Sequence, residues 1–132
     1  MVFQTLIQLR AELESGATTA EAVAKDYIAR ATEHNGALNA FVDFDAEHIL
    51  QQAQASDSYR RQHGARPLEG LPIAIKDIFC TRDGLTQCCS NILRNFHAPY
   101  DAHVITRLRD AGAILFGKTN MDEFAMGSSN ES

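Results

Sequence analysis

A short apolar run, Ile73-Ala74-Ile75, is followed at once by Lys76 and Asp77, and this change limits how the middle of the chain can fold. The run has the composition of a short β-strand. Lys76 then either reaches solvent at the strand end or is held against apolar surroundings for a chemical purpose. Lysines are seldom fully buried unless they are paired, so the stretch taken alone favours a solvated Lys76–Asp77 pair over a functional site.

Amphipathic helices are predicted for most of the first sixty residues. A helix over residues 4–14 ends at Gly16, and a capping-box pattern that begins at Thr18 predicts a second helix to about Thr32, ended by Asn35-Gly36. Residues 40–44 form a short strand, and Asp45 caps a third helix that reaches about Arg60. The apolar residues that indicate the inner faces of these helices are Leu6, Leu9, Leu13, Val23, Tyr27, Ile28, Ala31, Ile49, Leu50 and Ala53.

The second half of the chain adds one helix and one strand. Asp83-Gly84 marks a turn, and Asp101 is the predicted N-cap of a helix that Gly112 closes. The inner face of that helix is predicted to carry Val104, Ile105, Leu108 and Ala111. Residues 113–116 form a buried strand, and residues 117–132 are polar and resemble a loop. This alternation of helices and strands predicts an α/β protein.

Length and charge exclude several classes of protein. A chain of 132 residues is enough for one domain with a real core. Its net charge of −5 argues against a broad nucleic-acid-binding surface. No run is long enough to span a bilayer and no signal peptide begins the chain, so we expect a cytoplasmic protein.

The candidate metal ligands and acid–base residues have no spacing that unites them. The chain has three cysteines, an odd number, and no CxxC pattern: Cys80, Cys88 and Cys89. This favours reduced, packed thiols over a disulfide framework or a zinc site. Asp122-Glu123 is more simply a solvated turn than an acid–base pair. The five histidines are scattered, and we interpret them as surface or structural residues: His34, His48, His63, His97 and His103.

The segment Gly112–Thr119 matches the phosphate-binding pattern G-x-x-x-x-G-K-[ST] letter for letter. A P-loop needs a strand before its first glycine, a helix after its Lys-Thr, and backbone amides that are free to surround a phosphate. Here an amphipathic helix precedes Gly112, and the four variable positions form the predicted strand. We therefore expect those amides to be used in a sheet, although a P-loop nucleotide binder remains an alternative function.

Three segments together identify a family. Residues 68–77, Leu-Glu-Gly-Leu-Pro-Ile-Ala-Ile-Lys-Asp, resemble the lysine motif of the amidase signature hydrolases. Residues 95–104 and 117–129 are similar to the glutamine-hydrolysing A subunits of bacterial glutamyl-tRNA(Gln)/aspartyl-tRNA(Asn) amidotransferases. The resemblance covers nearly the whole chain and is densest over residues 68–132.

The resemblance implies a mixed β-sheet covered by α-helices, with residues 1–66 as a helical N-terminal region and residues 67–132 as the start of the catalytic core. It implies a Ser-cis-Ser-Lys mechanism in which Lys76 is the catalytic base, and no metal or cofactor in this subunit. The cavity-lining segment would comprise Met126, Gly127, Ser128 and Ser129. Both serines of the mechanism follow the equivalent of Ser132 in the family, so we expect an N-terminal fragment of one amidase domain that is inactive alone.

The activity that the resemblance implies is the hydrolysis of glutamine. The ammonia would convert misacylated Glu-tRNA(Gln) to Gln-tRNA(Gln), with ATP and Mg²⁺ used through a partner subunit of a heterotrimer with B and C subunits. A general amidase of the same superfamily is the alternative enzyme. A third class is a non-catalytic interaction module, in which the helices of residues 4–32 bind a partner.

Overall fold

The computed structural model describes residues 4–128 and confirms an α/β fold with four helices and a three-stranded mixed sheet in that range. The elements are α1 (Leu6–Ser15), α2 (Ala20–Leu38), β1 (Phe41–Asp43), α3 (Ala46–His63), β2 (Pro72–Lys76), α4 (His103–Asp110) and β3 (Ile114–Thr119), with short 3₁₀ turns at Asn91–Leu93 and Glu123–Ala125. The strand order is β1-β3-β2, so the last strand in sequence occupies the centre. β3 pairs with β2 in parallel and with β1 in antiparallel orientation.

The core lies on both faces of this sheet because the side chains of β3 alternate. Ile114 and Phe116 are buried in the main cluster with α1, α2 and α3, whereas Leu115 packs with Ile75 and with Ile105 of α4. The predicted inner face of α4 is therefore correct at Ile105 and wrong at Val104, which is exposed. The main cluster comprises Leu9, Leu13, Ala20, Val23, Ala24, Ile49, Ala53, Leu71, Ile114 and Phe116.

The ends of α1 and α3 follow local rules. Thr5 and Gln8 form a reciprocal capping box at the start of α1, and Gly16 ends that helix with φ 75°. Asp45 caps α3 by accepting hydrogen bonds from the amides of Glu47 and His48, as predicted. These boundaries depend on neighbouring residues alone, which is why the sequence pattern locates them.

The ends of α2 differ from the prediction. The N-cap is Thr19 rather than Thr18, and the carboxylate of Asp57 from α3 also accepts hydrogen bonds from the first amides of α2. The helix does not stop at Asn35-Gly36 but continues to Leu38. The Asn35 side chain bonds the backbone N–H and C=O of Phe41, at 2.8 and 2.9 Å, so its contribution is to hold β1 against the helix.

The start of α4 and the extent of β3 are further corrections. Ala102 stands at the N-cap position without a side-chain hydrogen bond, and Asp101 is instead turned toward Arg109, 3.3 Å away, and the amide of Arg82. The predicted strand at 113–116 is longer, because β3 continues through Gly117 to Thr119 between two partner strands. Residues 117–119 are therefore strand rather than loop.

A buried carboxylate, Glu69, fixes the connection between α3 and β2. It accepts hydrogen bonds from the Ser56 hydroxyl at 2.6 Å and from the Arg66 guanidinium at 2.5 and 2.9 Å. Burial raises the pKa of Glu69, but the bonds from Arg66 and Ser56 outweigh burial, so that pKa lies below its ordinary value. The ionised form of Glu69 therefore stabilises the folded chain.

This carboxylate predicts a specific response to acid. A depressed folded-state pKa contributes stability above the unfolded value of about 4.3, and this stability is lost as the pH falls through the folded-state pKa. We expect Glu69→Gln to be less stable than the parent chain at pH 6, with the difference shrinking below pH ~4.3 as the parent's Glu69 becomes protonated. Urea unfolding between pH 3 and 7 measures this, and a difference that does not change with pH would contradict it.

Candidate active site

Lys76 is the last residue of β2, and its side chain is exposed. Its register partner across the parallel ladder is Thr119, the last residue of β3, so both strands end at the same edge of the sheet. Ile75 is buried against Ile105 on one face, and strand alternation directs Lys76 to the opposite face. The structure thus places Lys76, the candidate base, at an exposed strand end. Within residues 4–128 its side chain is not buried among apolar residues.

Asp77, the next residue, does not form the solvated pair with Lys76 that the local sequence favours. Its side chain is 1% exposed, and its carboxylate accepts hydrogen bonds from the amides of Gln87 at 3.3 Å and Cys89 at 3.1 Å. Its charged partner is Lys118 of β3, whose Nζ lies 3.5 Å from Oδ1. The two adjacent charges are therefore separated, with Lys76 outside and Asp77 inside.

Lys118 is the buried lysine of this region, at 5% exposure. Its Nζ donates to the carbonyl of Phe79 at 2.7 Å and to the hydroxyl of Thr86 at 3.1 Å, besides facing Asp77. Burial lowers the pKa of Lys118, and the negative charge of Asp77 opposes part of that effect. The sequence interpretation assigns this residue no role, because Lys118 enters it only within the P-loop pattern and within the 117–129 segment of the family resemblance.

The P-loop pattern itself is a strand. β3 is the central strand, and its backbone groups bond to β1 on one side and to β2 on the other. Gly112 lies in the turn after α4 with φ 90°. The expectation that these amides are used in a sheet is confirmed, and the segment cannot surround a phosphate.

The loop at 87–90 carries the amides that surround Asp77. Cys88 and Cys89 both adopt left-handed backbone conformations, with φ 51° and 50°, and such turns direct successive N–H groups toward an anion. Here the anion is the chain's own carboxylate. Burial raises the pKa of both thiols, which keeps them protonated and poorly nucleophilic at neutral pH.

The candidate cavity segment, residues 126–129, follows a 3₁₀ turn that is tied to this loop. The amide of Phe124 donates to the carbonyl of Cys88 at 3.1 Å, and Ser90 donates to Glu123 at 2.5 Å. Met126 is 80% exposed, and Gly127 is packed so closely on Asp122 that an added Cβ would overlap its carboxyl group. Ser128 is exposed, whereas Ser129 lies outside the described residues.

Neither a metal cluster nor a membrane-spanning helix is found in the part of the chain that the structure describes. Between residues 4 and 128, no group of three His, Cys, Asp or Glu side chains has a geometry that could hold a metal ion. None of the helices described there is both long and apolar enough to cross a bilayer.

His48 has a structural role, as the sequence analysis expects of the histidines. It bonds to Asp83 at 2.9 Å, and Asp83 also accepts from Arg109 at 2.7 Å, so this histidine links α3 to the 81–86 loop.

Comparison with known proteins gives a consistent set of similarities. A family model described as Amidase matches residues 22–132. The chain is 48% identical over 132 residues to the A subunit of the glutamyl-tRNA(Gln) amidotransferase of Azoarcus sp. (strain BH72), a match that covers 100% of this chain and 27% of that protein. It is 50% identical over 127 residues to the protein of the same name from Thiobacillus denitrificans (strain ATCC 25259 / T1), with coverages of 96% and 26%.

Solved structures agree with this similarity in sequence. The native peptide amidase of Stenotrophomonas maltophilia superposes with a TM-score of 0.87 at 30% identity, over 98% of this chain and 27% of that one. An inhibitor-bound vestigial complex related to an s-triazine catabolic enzyme superposes with a TM-score of 0.88 at 36% identity, over 94% and 28%. The chain thus spans about a quarter of the length of the relatives that it matches.

Proposed function

This chain belongs to the amidase signature family, and we propose that it forms the lysine-bearing part of the glutamine-hydrolysing A subunit of a tRNA-dependent amidotransferase. The observation that carries the proposal is the identity of 46–50% with A subunits over 96–100% of the chain. The geometry is compatible with it, because β2 delivers Lys76 to an open edge of the sheet.

In the proposed reaction, the amine of Lys76 accepts a proton through a bridging serine from a second serine, whose oxygen attacks the amide carbon of glutamine. The leaving nitrogen takes the proton and departs as ammonia, and water then hydrolyses the acyl-enzyme to glutamate. Removing an amine from water disfavours its charged form. If the rest of the subunit covers the sheet end at Lys76, the neutral amine that acts as a base is therefore favoured. We assign neither serine to this chain, and we propose that the chain alone is inactive.

The proposed partners follow from the same assignment. The ammonia passes to a misacylated tRNA, Glu-tRNA(Gln), whose side-chain carboxyl is activated with ATP and Mg²⁺. We assign that activation to a partner subunit of a complex with B and C subunits, and no cofactor to this chain. The reaction would take place in the cytoplasm, where translation occurs.

A chimeric protein tests this function. The chain replaces the matching 132 residues of the Azoarcus A subunit, and the chimera is purified with the B and C subunits of that organism. We expect ammonia release from glutamine, and conversion of Glu-tRNA(Gln) to Gln-tRNA(Gln) when ATP is present. The unaltered Azoarcus complex is the positive control, and the isolated 132-residue chain should release no ammonia.

The second candidate is a general amidase, favoured by the superposition on the peptide amidase. A chimera that hydrolyses small amides but does not amidate tRNA would support this candidate and contradict the first. A chimera that assembles normally but hydrolyses neither class of amide would contradict both. Ammonia release from the isolated chain, lost in Lys76→Ala, would refute the proposed inactivity.

A further inference from the structure

We propose that the buried Asp77–Lys118 pair is a positioning device for the candidate base. It would hold the exit of β2 and the loop at 87–90 in one arrangement, and so set the position of Lys76 relative to the segment that begins at Met126. Neither residue of the pair would touch substrate. The catalytic meaning of this inference rests on the function proposed above, whereas the geometry on which it depends does not.

The pair joins the two parallel strands at the end of the sheet where β2 supplies Lys76. Asp77 directly follows β2, and Lys118 is the penultimate residue of β3. The amide of Asp77 also donates to the carbonyl of Thr119 at 3.2 Å, which continues the ladder one residue past Lys76. The backbone of Lys76 is therefore fixed by the β2–β3 ladder, and the residue that follows it is fixed by a backbone hydrogen bond and a buried ion pair.

Each charge of the pair is satisfied by groups from the loop that follows β2. The carboxylate of Asp77 accepts from the amides of Gln87 and Cys89, and the ammonium of Lys118 donates to Phe79 and Thr86. Apolar residues of similar size often stabilise a core as well as a buried ion pair does. A pair that instead organises two stretches of one loop is suited to fixing geometry.

Backbone hydrogen bonds carry this arrangement to the cavity segment. The amide of Cys88 donates to the carbonyl of Asp77 at 3.4 Å, and the amide of Phe124 donates to the carbonyl of Cys88 at 3.1 Å. The thiol of Cys89 also contacts the side-chain oxygen of Asn120 at 3.3 Å. A shift of the Asp77 carboxylate would therefore displace both the loop and the turn that precedes Met126.

The chain offers a direct test because it contains only three lysines, Lys25, Lys76 and Lys118. Lysine side chains are labelled with ¹⁵N and ¹³C, and the variants compared are Lys118→Met, Asp77→Asn and the double variant. Each single variant leaves one buried charge unpaired and should lower the thermal midpoint. The double variant removes both charges, so its midpoint should return toward that of the parent chain.

Positioning predicts a result that a purely stabilising role does not. In the double variant we expect the amides of Cys89 and Phe124 to exchange with solvent roughly tenfold faster or more, and the side-chain resonances of Lys76 to shift relative to those of Lys25. Lys25→Met is the matched control, because it removes only an exposed pair with Glu21 and should change neither readout. Parent-like exchange and an unmoved Lys76 signal in the double variant would overturn the proposal.

The outcome is separable from that of the proposed function. In an active chimera, the double variant should lower kcat about tenfold or more and leave KM for glutamine nearly unchanged, since misplacing a catalytic group acts on the chemical step. An active chimera with unchanged kcat in the double variant would refute positioning alone. An inactive parent chimera refutes the proposed function, while the exchange and resonance measurements still decide whether the pair positions Lys76.

Discussion

Replacing Lys76 with methionine is expected to reduce ammonia release by the chimeric subunit by roughly 10³-fold or more, the scale of losing an essential general base. The methionine has a similar length but cannot accept a proton. Because Lys76 is exposed at the end of an edge strand, the change should alter the free energy of unfolding by no more than about 0.5 kcal/mol. Ammonia release from glutamine and urea unfolding of the same preparations measure the two effects.

Two companion variants separate the role of a base from that of a positive charge. Lys76→Arg keeps the charge but does not lose its proton near neutral pH, so it should be as inactive as Lys76→Met. Lys25→Met, which replaces an exposed lysine of α2, should retain the activity of the parent chimera. Activity within tenfold of the parent for Lys76→Met would show that Lys76 is not the base.

Replacing Gly112 with alanine is expected to lower the free energy of unfolding by about 3 kcal/mol, which is large for a single methyl group. Gly112 has φ 90°, a backbone conformation that residues with a side chain rarely adopt. A Cβ there would lie 2.7 Å from a carboxylate oxygen of Glu69 and 2.9 Å from the Cα of the same residue. The carboxylate of Glu69 accepts hydrogen bonds from Ser56 and Arg66, so Glu69 cannot move away from the added methyl group without weakening those bonds.

The matched control is the same substitution at Gly36. Gly36 lies inside α2 and has no atom within 4 Å of the position of an added Cβ. Gly36→Ala should therefore raise the free energy of unfolding, by up to about 1 kcal/mol, through better helix propensity. Urea unfolding of both variants tests the contrast, and equal stabilities for the two would contradict this account of the turn at Gly112.

The sequence predicts those parts of the fold that depend on neighbouring residues. The cap at Asp45, the stop at Gly16 and the strand before Lys76 all follow from local spacing, and the structure confirms them. The errors occur where a distant residue intervenes, because local rules cannot anticipate it. Asp57 of α3 accepts hydrogen bonds from the first amides of α2, which are 36 and 37 positions away in sequence. Asp101 forms an ion pair with Arg109 and does not cap α4.

The candidate site shows the same division. The strand end at Lys76 could be predicted from its own apolar run, and the family resemblance supplies its role. The partner of Asp77 could not be predicted, because Lys118 is distant in sequence and the two meet only when β2 and β3 align in parallel. The role of Lys76 as a base remains a prediction, as do the cavity residues from Met126 to Ser129.

The central position of β3 has a consequence for how the chain acquires its structure during synthesis. β1 and β2 bond to β3 and not to each other, so neither can complete a ladder until Thr119 has left the ribosome. At roughly 5–20 residues per second, both earlier strands therefore wait several seconds with unpaired edges. During that interval α2 and α3 can pack against each other, but the apolar faces that α1, α2 and α3 share with Ile114 and Phe116 stay incompletely covered until β3 has been made.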